Sequence, residues 1–144
     1  MATWELRVQS HPEQLKEIRQ WLGQVGGAVG LAQDEIANVK VAVCEACTNI
    51  IRHAYEGNYS RPIWLTARSQ GSGIELEIRD FGRPFDHARV SAPDFEEAHE
   101  GGYGVFLMHT LMDAIEFSSP PDGEGTVLRM VKARHSTKAS SQSC

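Results

Sequence analysis

Trp4, Leu6 and Val8 alternate with Glu5, Arg7 and Gln9, a two-residue period that predicts a strand with one buried face. His11-Pro12 interrupts it. The period then changes: Leu15, Ile18, Trp21, Leu22 and Val25 recur at helical spacing, and the glycine-rich run Gly26-Gly27-Ala28-Val29-Gly30 ends that helix. A second helix opens at Gln33-Asp34-Glu35, where acidic side chains suit the positive helix end. It runs to about Glu56 and is stopped by Gly57-Asn58. Pro62 to Arg68 and Ile74 to Asp80 read as strands, joined into a hairpin by Gln70-Gly71-Ser72-Gly73. Phe81 to Gly102 is rich in Gly, Pro, Asp and Glu and reads as a loop, with a short helical piece around Glu96. Tyr103 to Met112 reads as a helix. Ala114 to Ser118 and Thr126 to Val131 read as two further strands. From His135 the residues are small and polar, the pattern of a disordered tail.

The order β-α-α-β-β-loop-α-β-β predicts an α/β (α+β) two-layer sandwich. Its sheet is mixed and mostly antiparallel, with helices over one face. At 144 residues the chain suits one domain, expected over 1–134, with 135–144 as tail. A formal net charge of −5 argues against a surface built to neutralise nucleic-acid phosphates. No apolar run approaches the roughly 20 residues of a membrane span. The first residues lack the basic and apolar regions of a secretory signal, so the cytoplasm is the expected location, with no membrane partner. Cys44 and Cys47 have CxxC spacing, but no second Cys or His pair completes a zinc set, so both read as small helix residues.

On the second helix, Val39, Val43, Cys47, Ile50 and Ala54 share one side. Glu45, Asn49, Arg52 and Glu56 share the other, with His53 at the stripe's edge. A plain solvated face has the same pattern. The chemistry goes further. Glu45 and Asn49 stand one turn apart, about 6 Å. A carboxylate there can take a proton from a hydroxyl. An amide oxygen is a hard ligand for Mg²⁺, which is held by few protein groups plus phosphates.

Asp80-Phe81-Gly82-Arg83-Pro84 follows a strand directly. An aspartate there can accept from an exocyclic amine such as adenine's, and Gly82 lets backbone approach a flat ring. The eukaryotic protein-kinase reading of Asp-Phe-Gly fails, because no glycine-rich N-terminal loop, lysine strand or His-Arg-Asp loop accompanies it. Gly101-Gly102-Tyr103-Gly104 opens the next helix, where free N–H groups can receive phosphate. It is not a P-loop, since no G-K-[ST] follows.

Taken together, these stretches resemble the boxes of the GHKL ATPases. Glu45-Ala46-Cys47-Thr48-Asn49-Ile50-Ile51-Arg52-His53-Ala54-Tyr55 resembles the N box, in the E-x-x-x-N-x-x-x-H-A-Y form of the anti-sigma factor serine/threonine kinases. Asp80 to Asp86, Gly102 to Met108 and Gly125-Thr126 resemble the following three, in order. The resemblance extends from about Trp4 to Ala133 and implies a Bergerat-type ATP-binding fold. It implies that Asn49 coordinates Mg²⁺ and that Glu45 is the general base for a partner's hydroxyl. It implies that Asp80 binds the adenine amino group, supported by Gly82 and Thr126. Gly102 and Gly104 would lie along the phosphates, and residues from about Asp86 to Gly101 would form a short lid. From Val90 to Gly104 no Lys or Arg occurs, so cationic clamping of the γ-phosphate is either weak or comes from elsewhere.

The implied function is an anti-sigma factor with serine kinase activity. It would hold a sigma factor and phosphorylate an anti-anti-sigma, STAS-type protein, as a homodimer. An ATP-binding partner-switch module without transfer is the second reading. A detached sensor histidine kinase catalytic domain is the third, and is disfavoured by the H-A-Y ending and the absence of room for a phosphoacceptor helix pair before Trp4. His53 is expected to pack or orient beside the site; the role of Arg52 stays open.

Overall fold

The opening alternation becomes strand β1, Thr3–Gln9, in a computed structural model that describes residues 2–84 and 102–134. Helix α1 is Gln14–Val29. It ends within the glycine-rich run, as expected. Gly26 is buried against the helix that begins at Gln33, where an added Cβ would lie 2.7 Å from Ile36 Cγ1. The glycine therefore serves close helix packing, and α1 ends at Gly30, whose φ of 86° is left-handed.

Helix α2 is Gln33–Asn49. Glu35 turns back to accept from the Ala32 N–H at 2.7 Å, closing its first turn. The predicted continuation to Glu56 exists in altered form. Ile50–Ala54 is a π-helical turn, and the Tyr55 N–H donates to the Ile50 carbonyl five residues back at 2.9 Å. The wider turn buries Ile51 and Tyr55 and leaves Ala54 half-buried. Glu56 and Gly57, both at positive φ, then end the helix.

Strands β2 (Pro62–Gln70) and β3 (Gly73–Asp80) form the expected hairpin. Helix α3 is Gly102–Leu111, followed by β4, Ala114–Ser118, and β5, Thr126–Lys132. The five described strands run in the order β1-β2-β3-β5-β4, and every pairing is antiparallel. The three α-helices cover one face, where Ile63, Leu65, Ile74, Leu76, Ile78 and Met130 meet Ile18, Leu22, Val39 and Val43 in one core. The other face carries an ionic ladder: Arg68 with Glu75 and Glu77, and Arg129 with Glu75 and Glu116. This is the predicted sandwich. Among the described residues, no helix is long and apolar enough to cross a membrane. The expected lid, its helical piece around Glu96 and the tail from His135 lie outside the described residues.

Helix α3 is tied to the sheet at its C-terminal end. Lys132, buried at the end of β5, donates through Nζ to the Leu111 carbonyl at 2.8 Å. The Asp113 N–H donates to the Val131 carbonyl, and Asp113 Oδ2 accepts from the Ala133 N–H.

Candidate functional site

The α2 periodicity brings Glu45 and Asn49 to one half-buried stripe, and α3 packs against this helix. Gly104, near the start of α3, sits over both. A Cβ built there would stand 3.0 Å from Glu45 Oε1 and 3.3 Å from Asn49 Nδ2. A carboxylate, a carboxamide and the first turn of a helix thus converge on one point. No side-chain hydrogen bond to a described residue holds Glu45 or Asn49. Gly102 is the first residue of α3.

A second group forms at the end of β3. Asp80 is 4% exposed and lies in register with Thr126, the first residue of β5. Its Oδ1 accepts from the Gly82 N–H at 2.9 Å, and the Thr126 backbone N–H also bonds the carboxylate. Burial raises the Asp80 carboxyl above its ordinary range, against these bonds and the Arg79 and Arg61 charges, which lower it. Two backbone donors leave further lone pairs on an ionised carboxylate for a ligand N–H.

Gly82 rests on the end of the π-helical turn. A Cβ there would come within 2.3 Å of the Ala54 carbonyl oxygen, and that oxygen accepts from the Arg83 N–H at 2.9 Å. Gly125 also presses on Asp80, with φ 76° and no room for a Cβ against the Asp80 carbonyl.

The two groups are therefore separate clusters, Glu45–Asn49–Gly104 and Asp80–Gly82–Thr126. They are joined by the helix that carries Asn49 and, six residues or about 9 Å further on, Tyr55. Sequence reasoning gave Tyr55 no role. The Tyr55 O–H donates to the Pro62 carbonyl at 2.5 Å, and its oxygen accepts from the Phe81 N–H at 2.8 Å. Burial pushes its phenol above the ordinary value. A tyrosine closing a helix ahead of a hairpin was the only available signal, and nothing in the pattern indicated its partners.

Arg52 is exposed. His53 is half-buried, and its enclosed Nε2 has no hydrogen-bond partner among the described residues. Cys44 and Cys47 are free thiols. Cys47 is fully buried and burial raises its pKa, as expected of a packing residue. Among the described residues, no group of three or more His, Cys, Asp or Glu is placed to hold a metal by itself.

Comparison with known proteins gives these features a context. A family model described as the histidine kinase-like ATPase domain matches residues 8–132. The serine-protein kinase RsbW of Bacillus pumilus is 31% identical over 138 residues, which cover 89% of this chain and 83% of the relative. RsbW of Bacillus subtilis is 32% identical over 119 residues, covering 77% of this chain and 74% of the relative. Among solved structures, the RsbU and RsbW domains of a Mycobacterium tuberculosis protein align with a TM-score of 0.67 at 15% identity. That alignment covers 92% of this chain and 32% of the solved one, so this chain spans about a third of that chain's length. The histidine kinase domain of a blue-light activated kinase from Erythrobacter litoralis aligns with a TM-score of 0.56 at 16% identity, over 89% of this chain and 63% of that one. At such identities the two structures speak to the fold.

Proposed function

This chain belongs to the histidine kinase-like ATPase family, in its serine-protein kinase RsbW branch, and is an ATP-dependent protein kinase; from that premise we propose that it phosphorylates a serine or threonine of an anti-anti-sigma, STAS-type protein and sequesters a sigma factor. The observation that carries the reading is the convergence of Glu45, Asn49 and the start of α3 at Gly104. A base beside a phosphate-receiving helix end is what phosphoryl transfer needs, since positioning and electrostatics do most of the work.

In this reading Asp80 accepts from the adenine amino group, supported by Gly82 and Thr126. The N–H groups at Gly102 and Gly104 line the phosphates. The partner's hydroxyl oxygen bonds to the γ-phosphorus, the bond to the bridging oxygen breaks, ADP leaves, and Glu45 takes the hydroxyl proton. Mg²⁺ fits the donor set: Asn49 offers one hard oxygen beside the phosphate position, and a metal with so few protein ligands arrives with the nucleotide. It would supply charge neutralisation on the phosphates. The match over 8–132 supports residues 1–134 as the catalytic domain. The reading includes a cytoplasmic homodimer, which sedimentation of the free protein tests.

Calorimetry with ATP, with and without Mg²⁺, on the wild type and Asp80→Asn tests the nucleotide site. Magnesium-dependent binding that weakens in the variant is expected; no binding by the wild type would remove the basis of the proposal. Transfer of label from γ-phosphate to a cognate partner should fall by about 10²- to 10⁴-fold in Glu45→Gln. Undiminished transfer would remove Glu45 as the base.

A further inference from the structure

Tyr55 is the one buried hydroxyl that links the helix of Glu45 and Asn49 to the loop of Asp80, among the described residues. Three contacts make the link specific. The phenol oxygen accepts from the Phe81 N–H while its proton goes to the Pro62 carbonyl, so one atom fixes β2 and the β3 exit together. The ring lies against Gly82, where a Cβ would stand 2.7 Å from Tyr55 Cδ1. Arg61 stacks on the ring, its guanidinium 4.9 Å from the centroid, and donates to the Phe81 carbonyl at 3.3 Å.

Both backbone polar groups of Phe81 are thus held from residues 55–61. Phe81 lies between Asp80, which bears the buried carboxylate, and Gly82, whose N–H orients that carboxylate. A displacement of Phe81 moves the acceptor and its orienting donor at once. We propose that Tyr55 is a positioning residue that sets selectivity for the nucleotide base by holding Asp80 in register with the helix of Glu45 and Asn49. The proposal rests on the reading that Asp80 accepts from the adenine amine.

The test compares binding of ATP and ITP, which carries a carbonyl oxygen in place of that amine, to the full chain and to Tyr55→Phe. Removal of the hydroxyl leaves the Phe81 N–H without its partner, and the loop then relaxes towards water. ATP should bind about ten-fold more weakly while ITP changes little, so that the preference for ATP largely disappears. A purely structural role would lower the melting temperature with the preference for ATP kept, or weaken both nucleotides equally, and either result would overturn the proposal. So would an unchanged preference. If the wild type does not prefer ATP to ITP, the Asp80 reading fails first and takes the proposal with it. Arg61→Ala alters an exposed position and removes the bond to the Phe81 carbonyl. It should shift the ATP-to-ITP ratio the same way by about two- to three-fold. Should Tyr55→Phe fail to fold, an unchanged ratio in Arg61→Ala decides against the role.

Discussion

The two ends of the candidate site are built by different means. Around Asp80 the closest contacts are backbone on backbone, or backbone on the buried Tyr55 side chain, and the exposed Arg61 adds a bond to the Phe81 carbonyl. Gly82 lies on Ala54, Gly125 on Asp80, and Tyr55 between Pro62 and Phe81. Around Gly104 the contacts are the free ends of two half-buried side chains, unsupported by hydrogen bonds from described residues. On the proposed reading the base end is therefore complete in the fold, and the phosphate end offers groups that would acquire partners when a nucleotide arrives. Selectivity would be preorganised at one end and chemistry assembled at the other.

A methyl group added at each end separates the two designs. At Gly82 the new Cβ meets the Ala54 carbonyl at 2.3 Å, so that backbone itself has to shift. Gly82→Ala should cost about 2–3 kcal/mol of stability, read from urea unfolding. It should also weaken ATP by about 100-fold or more, because Asp80 moves with the loop. Gly104→Ala meets side-chain ends at 3.0 to 3.6 Å, which can turn aside. Its stability should change by less than about 1 kcal/mol. Transfer should nonetheless fall about 10- to 100-fold with ATP affinity nearly kept, since Glu45 and Asn49 are displaced. Equal effects at the two glycines would erase the distinction.

The Asp80 carboxylate sharpens it differently. Its folded pKa is raised by burial, so the folded state holds the proton more tightly than the unfolded chain. Stability must then fall as pH rises from the ordinary carboxylate range through the raised folded value, and the deficit persists above it. Asp80→Asn removes the charge and keeps an oxygen for the Gly82 N–H. Urea unfolding between about pH 4 and 7 should find the variant gaining on the wild type as pH rises. The same substitution should weaken ATP about ten-fold. A variant less stable than wild type at neutral pH would mean that the carboxylate is a structural asset rather than a cost borne for binding.

Much of this was legible in the sequence, for identifiable reasons. Period-two and helical patterns located the strands and helices, because each element has one face in the core. Glu45 and Asn49 could be paired from a single helical turn, and Asp80 from its place at a strand end. The errors arise where packing overrides local pattern. The Gly26–Gly30 run marked where α1 ends, but nothing in the pattern showed that Gly26 is a contact glycine under Ile36. The π-helical turn at Ile50–Ala54 was invisible because its cause is tertiary: Tyr55, Gly82 and Arg83 dock on its end. Tyr55 and Lys132 were overlooked for the same reason. Their roles depend on carbonyls that only the folded chain brings near.

Lys132 supplies the smallest and most exacting test. It lies at the far end of α3 from Gly104, yet its ammonium holds the last turn of that helix through the Leu111 carbonyl. A cation at a helix C-terminus is also favoured by the helix dipole. If the phosphate end is located mainly by where α3 is anchored, removing the anchor should be felt there and not around Asp80. Lys132→Met keeps the apolar stem and removes the donor, leaving one part-buried carbonyl short of a partner. Stability should drop by about 1–2 kcal/mol. ATP affinity should hold, and transfer should slow by about three-fold, a shift in kcat without a shift in KM for ATP. Unchanged transfer would mean that the packing of Val105 and Met108 into the core is enough to place Gly104. A loss of ATP affinity in parallel with transfer would mean that the two ends are not independent, and the contrast drawn from their contacts would fail.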